Sequence, residues 1–249
     1  MTHRIAGILL IALTLGACAG TTGDVSTLVD EPVAPVYDPW ERLNRGVFSV
    51  NRNLDKVTLR PVAKGYRNAS GSFLRKGVNN FFSNLRTPLT IVNQLLQGKG
   101  RLALSDSGRL LLNSTVGLAG LLDPATAIGL DKHEEDFGQT LAVWGVPDGP
   151  FVVVPLLGPR TLRDALAIPL NFFADPLLHY DNTSVRDKLW GLQAVQVRAR
   201  LLAAERLLED SYDPYITTRE AWLQNRRYEI YDGDPPEGDD GFFDEFIGE

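Results

Sequence analysis

Apolar side chains at Trp40, Leu43, Val47, Val50 and Leu54 recur every three or four residues, the spacing that gathers them on one face of a helix. Helix starts recur along the chain. Asp38-Pro39-Trp40-Glu41 offers an N-cap, a proline at the first helical position and an acid at the third. Thr87-Pro88 reads as a cap followed by such a proline, and Gly98 ends the helix that it opens. Ser184-Val185-Arg186-Asp187 repeats the cap and the acid. It opens a long helix from Ser184 to Glu209, with Leu189, Leu192, Val195 and Leu202 set against a charged opposite side. The only β-like run is Phe151-Val152-Val153-Val154, bracketed by Pro150 and Pro155. The pattern predicts an all-α domain of many helices of moderate length, with no sheet larger than a short hairpin near Phe151–Val154.

Two stretches do not suit an ordinary water-soluble bundle. The segment from Val116 through Leu118, Leu121, Leu122 and Ile128 to Leu130 is apolar on nearly every side, yet its glycines and Pro124 forbid one long helix. Leu141 to Gly158 is also mostly apolar and is broken by Pro147, Asp148, Gly149, Pro150 and Pro155. Neither can span a bilayer, because lipid would leave the freed backbone groups unpaired. Two readings stay open: a buried core with tight turns, or helices and a hairpin lying partly in one leaflet.

The ends add targeting and charge. Arg4 followed by the apolar run Ile5–Leu15, 11 residues long, has signal-peptide length and is too short to span a membrane. Leu15-Gly16-Ala17-Cys18 resembles the lipobox of bacterial lipoproteins, so residues 1–17 are expected to be removed and Cys18 to carry the lipid. Cys18 is the only cysteine, which excludes an intrachain disulfide. Ala19 follows it where aspartate would signal retention in the inner membrane, favouring the outer membrane. Residues 18–37 read as a small, polar, proline-bearing tether, 38–231 as the helical domain, and 232–249 as a disordered tail with eight acidic side chains and no basic one.

Loss of the leader removes Arg4 and moves the formal charge from −6 to −7, a poor balance for binding nucleic acid. His133 and His179 are the only histidines of the mature chain, and no nucleophile, zinc or phosphate-loop motif is present. The run His133-Glu134-Glu135-Asp136 cannot turn all its side chains to one ion if helical. It reads better as a solvated helix start, with acids at the positive end of the dipole. No catalytic residue, metal or cofactor is expected. A lipid hydrolase and a purely structural envelope lipoprotein are the competing classes.

Several motifs in order carry a resemblance. They are Asp38-Pro39-Trp40-Glu41-Arg42-Leu43-Asn44-Arg45, then Phe48, Asn51, Leu54-Asp55 and Arg60-Pro61-Val62-Ala63. Phe137-Gly138-Gln139-Thr140-Leu141, Trp144-Gly145-Val146, Gly149-Pro150-Phe151, Pro155 through Pro159 and Leu162-Arg163-Asp164 follow. Asp213-Pro214-Tyr215-Ile216 and Arg219-Glu220-Ala221-Trp222 close the series. From Asp38 to Tyr228 the chain resembles the MlaA/VacJ outer-membrane lipoproteins. The resemblance implies a helical ring in the inner leaflet of the outer membrane with an amphipathic central channel. Phospholipids misplaced in the outer leaflet would pass through it to a periplasmic carrier of the MlaC type, with trimeric porins as neighbours in enteric members. It maps a channel-side hairpin onto Trp144, Gly145, Val146, Pro147, Gly149 and Phe151. The odd apolar segment, with Val116, Leu118, Leu121, Leu122, Ile128 and Leu130, becomes leaflet-embedded exterior.

Overall fold

The structure, a computed structural model, describes residues 36–236. The leader, Cys18, nearly all of the tether and the acidic tail from residue 237 lie outside the described residues. Ten helices and one two-stranded hairpin make up the described residues, so the domain is all-α with a short hairpin, as predicted. In order they are α1 (Glu41–Val57), α2 (Leu59–Ala69), α3 (Ser72–Leu96), α4 (Gly100–Thr115), α5 (Pro124–Ala127) and α6 (Phe137–Val143). Then come β1 (Phe151–Val154), β2 (Gly158–Thr161), α7 (Leu162–Phe173), a 3-10 turn (Pro176–His179), α8 (Thr183–Leu201), α9 (Glu205–Asp210) and α10 (Pro214–Ile230). Helix α3 packs along α4, α2 along α8 and α6 along α7, while the hairpin is held by α1, α7 and α10.

Three predicted helix boundaries need correction. Asp38 does not cap α1, which starts at Glu41 without a side-chain cap. The Asp38 carboxylate is taken by stronger donors: the Asn44 amide at 2.9 Å, the Tyr215 hydroxyl and Arg219 at 3.2 Å. Thr87-Pro88 opens no helix, because α3 runs unbroken through Pro88. An interior proline forfeits one backbone bond and costs roughly 3 kcal/mol. Thr90, Asn93 and Gln94, buried just beyond it, supply the contacts that hold the helix together. Gly98, with φ +77°, does end it. The cap of α8 is Asn182, accepting from the Val185 N–H at 3.2 Å, and the long helix breaks after Leu201. Leu202 turns into a small apolar nucleus with Ala63 and Ala199. Glu205 is drawn back to Arg198 at 3.0 Å and Arg60 at 2.7 Å, so the chain bends instead of continuing.

The hairpin explains two motif residues. Asn44 and Asn51 lie two turns apart on α1 and pair with the backbone edge of β1. The Asn44 amide donates to the Phe151 carbonyl (3.0 Å) and its oxygen accepts from the Val153 N–H (2.9 Å). Asn51 treats the Val154 carbonyl (3.1 Å) and Leu156 N–H (2.9 Å) in the same way. An edge strand otherwise presents unpaired backbone groups. Here two side-chain amides stand in for the missing strand. Phe151, Val153 and Tyr215 form the larger apolar nucleus behind it, with Phe48 edge-on to Tyr215 at 5.7 Å.

Candidate functional site

The distribution of polarity is the reverse of an ordinary soluble protein. Among the described residues twelve apolar side chains are buried, five of them alanine, against sixteen polar or charged ones. Thirty-six large apolar side chains are exposed, far beyond the scattered surface leucines of a monomer. Helix α1 shows the reversal residue by residue. The helical face predicted at Trp40, Leu43, Val47, Val50 and Leu54 is real in its period, but all except Val47, which packs against the Phe151 nucleus, point outward, and the one buried residue of α1 is Asn44. Val116, Leu118, Leu121, Leu122 and Ile128 are exposed too, with Leu130 half-buried.

A left-handed turn holds the tip of that segment. Leu118 and Ala119 have φ of +54° and +56°, followed by Gly120 at +86°. Left-handed backbone costs an ordinary residue ~1–2 kcal/mol. It persists because Gly120 sits so close to Asn84 on α3 that a Cβ would strike its side chain at 2.5 Å.

The interior is organised as ion-paired polar clusters. In one, Asp106 accepts from Gln94 (2.6 Å), contacts His133 Nδ1 (2.9 Å) and lies 3.8 Å from Arg109, which also binds Asp123 at 3.1 Å. In a second, Lys99 bridges Glu135 (2.9 Å) and Asp232 (2.6 Å), while Gln97 donates to Glu135 and to Thr140. In the third, Arg226 reaches Asp136 and Asp164, both at 2.7 Å, and Glu229 at 2.9 Å. The run 133–136 does lead into a helix start, but most of it is tied to the interior rather than solvated. Asp136 caps α6 through the Gln139 N–H (3.0 Å), Glu135 is fastened to the interior by its ion pair with Lys99, and His133 by the contact of its Nδ1 with Asp106. Asp232, expected in the acidic tail, is tied to Lys99. No cluster suited to a metal ion occurs among the described residues.

Asp136 gives a testable pH dependence. Burial pushes its carboxyl up, but hydrogen bonds and charge from Arg226, with the Gln139 and Gly138 backbone N–H groups, bring it below the ordinary value of 3.8. A folded-state value lower than the unfolded one stabilises the protein above the ordinary value, and that stability is lost as pH falls through the lower folded one. The thermal midpoint of the wild type is expected to fall more steeply than that of Asp136→Asn as pH is lowered below about 4. Parallel curves for the two proteins would contradict this.

Two polar clefts flank α3. The first, of about 300 Å³, lies between α3, α4 and the segment before α6, lined by Asn80, Ser83, Asn84, Thr87, Asp106 and Lys132 among others. The second, of about 350 Å³, lies between α3 and α8, lined by Asn79, Phe82, Ser83, Arg86, Gln193, Gln196, Val197 and Arg200. Ser83 belongs to both. The sequence carries a signal for these clefts. Asn79, Asn80, Ser83, Asn84, Thr87, Thr90, Asn93, Gln94 and Gln97 recur at helical spacing as a polar stripe. Glu134 stands beside the clefts. Its side chain is 71 % exposed, yet burial is the largest influence on its carboxyl, pushing it up. Lys132, Arg86 and Arg200 outweigh this and bring it below the ordinary range.

The stretch Trp144–Phe151, onto which the resemblance maps a channel-side hairpin loop, is not a paired β-hairpin. Trp144 ends α6, Gly145–Pro150 form an irregular connection, and Phe151 is a buried residue of β1. The true hairpin lies just downstream, with Leu156 (φ +64°) at its tip. Proline brackets and a β-branched run mark the strands, whereas the Gly-Pro-rich stretch before them only connects. That connection is pinned: the Trp144 indole donates to the Leu96 carbonyl (3.0 Å), and Arg163 binds Asp148 at 2.6 Å. Gly145 and Gly149 have φ of +85° and +67°, angles that glycine adopts at little cost.

An α-helical domain with an ion-paired polar interior, polar clefts and an apolar outside defines a class: a protein whose outer surface suits an apolar medium or partner and whose inside suits polar groups. The profile of the MlaA lipoprotein family matches residues 36–229, and the chain belongs to that family. It is 36 % identical to the intermembrane phospholipid transport system lipoprotein MlaA of Escherichia coli over 195 residues, 77 % of each chain. The protein of the same name in Haemophilus influenzae is 30 % identical over 255 residues, covering 100 % of this chain and 98 % of that one. A structure solved for the structural basis for maintenance of bacterial outer membrane lipid asymmetry superposes with a TM-score of 0.68 at 35 % identity. It covers 79 % of this chain and 99 % of that chain.

Proposed function

We propose that this chain is a lipid-anchored outer-membrane protein that takes phospholipids from the outer leaflet through a polar channel beside α3. It hands them to a periplasmic carrier of the MlaC type, with trimeric porins as neighbours. The observation that carries this reading is the reversed polarity. A phospholipid needs polar lining for its headgroup, which is costly to move through hydrocarbon. The clefts about Ser83 supply such lining, and Phe82 and Val197 offer the tails an apolar wall. The exposed side chains at Val116–Ile128, Leu104, Leu111, Phe73 and Phe173 suit burial in one leaflet. No helix among the described residues is long and apolar enough to cross a membrane, which fits residence in a single leaflet. The relatives named for phospholipid transport support the substrate class. Passage requires no covalent step, so the reading assigns no catalytic residue.

Cys18 is assigned the anchor. Cys18→Ser is expected to leave an unacylated protein that leaves the membrane fraction and lets phospholipid accumulate in the outer leaflet. Normal fractionation with normal asymmetry would count against it. The connection Trp144–Phe151 is proposed to shift as lipid passes. Proline cannot adopt φ +67°, so the informative change is Gly149→Ala, whose Cβ meets Leu162 at 3.2 Å. A cost of about 1 kcal/mol is expected, with raised outer-leaflet phospholipid at normal abundance. Unchanged asymmetry in that variant would remove the connection from the mechanism.

A further inference from the structure

The cleft between α3 and α8 differs from its neighbour in one respect. The first cleft contains its own counter-ions: Asp106 and Asp123 line it together with Arg109, Lys132 and His133. The second has two charged lining residues, and both are arginines, Arg86 on α3 and Arg200 on α8. Neither makes an ion pair among the described residues, although Arg198, two residues before Arg200, is clamped by Asp55 at 2.8 Å and Glu205 at 3.0 Å. Two arginines lining one space with no carboxylate among its lining residues leave guanidinium donors for an anion. The remaining lining is Asn79, Ser83, Gln193 and Gln196, neutral hydrogen-bonding groups, with Phe82 and Val197 as the apolar part. Gln196 is 5 % exposed, with its amide nitrogen committed to the Arg75 carbonyl at 3.2 Å and its oxygen without a partner. Since a carbonyl accepts, that nitrogen must face Arg75, and the free oxygen awaits a donor.

We propose that Arg86 and Arg200 form a phosphate-reading site for the phosphodiester of a glycerophospholipid, in the cleft between α3 and α8. This rests on the passage reading above and names which group of the lipid the channel holds. Glu134 is the site's internal competitor. It pairs with Lys132, and the charges of Arg86 and Arg200 also favour its ionised form, so its negative charge opposes a phosphate held by the two arginines. The arrangement gives opposite expectations for neighbouring charges: loss of the arginines weakens binding, and loss of the Glu134 charge strengthens it. A merely structural role would not produce that reversal.

The test uses the full chain, purified in an uncharged, phosphate-free detergent, with calorimetric binding of short-chain phosphatidylglycerol. The same-chain diacylglycerol and inorganic phosphate serve as separate probes. The double variant Arg86→Gln with Arg200→Gln is expected to bind the phospholipid at least about tenfold more weakly, equivalent to ~1.4 kcal/mol. Glu134→Gln is expected to bind it more tightly than wild type, and diacylglycerol binding should be equal in all three proteins. Equal phospholipid affinity in wild type and double variant would overturn the phosphate site while leaving lipid passage standing. A parallel loss of diacylglycerol binding would also overturn it, by showing that the arginines act on the cleft as a whole. Inorganic phosphate binding as tightly as the lipid would assign the site to the free ion. If the wild type binds neither phospholipid nor diacylglycerol, the passage reading itself fails.

Discussion

Gly138→Ala is expected to destabilise the domain by about 3–5 kcal/mol, the scale on which breaking a buried ion pair is felt. Gly138 lies in the first turn of α6, directly under the Arg226 cluster. A Cβ there would collide with Asp164 Oδ1 and Arg226 Nη2, both buried and already hydrogen-bonded to each other at 2.7 Å. Neither can retreat cheaply. Asp164 also accepts from the Thr161 hydroxyl at 2.8 Å, and Arg226 also holds Asp136. Moving either strands a charge where little water reaches. The cluster joins α6, α7 and α10, so the loss should spread to all three. Gly145→Ala is the matched control. Nothing lies within 4 Å of the Cβ it would add, and only its φ of +85° is unfavourable, for about 1 kcal/mol. Denaturant unfolding of the two variants should show the difference. A Gly138→Ala protein as stable as Gly145→Ala would mean that the cluster does not hold these helices together.

Ser83→Trp is expected to abolish lipid passage in a protein that still folds and reaches the membrane. Ser83 is the residue shared by the clefts on both sides of α3, and an indole would fill much of either. Tyr212→Trp adds bulk at a fully exposed position that lines neither cleft and should change nothing. Outer-leaflet phospholipid in cells carrying each variant, normalised to protein abundance, separates blockage from misfolding. Full function of Ser83→Trp would show that lipids take another route.

The sequence was legible where local chemistry decides and misleading where the surrounding medium does. The strand run Val152–Val154 and the stop at Gly98 follow from backbone preferences that hold in any solvent. The stripe Trp40, Leu43, Val47, Val50, Leu54 was equally visible, but which way most of it faces is a property of the medium. The rule that an apolar stripe marks the core assumes water outside. With Asn44 turned inward to β1, the rule inverts. For the same reason the apolar segment Val116–Ile128 could not be decided between core and exterior from its residues. The site was hidden in a second way. Arg86 lies on α3 and Arg200 on α8, so their meeting at one cleft is a product of tertiary packing. The Asn/Ser/Thr stripe of α3 was readable but masked by Thr87-Pro88, which looks locally like a helix start.

The central claim is that this chain clears phospholipid from the outer leaflet. The direct measurement is the amount of surface-exposed phospholipid on cells lacking the gene, set against the same cells with the wild-type chain restored. The account predicts a clear rise on deletion and a return to the starting level on restoration. An outer leaflet unchanged by deletion would contradict it.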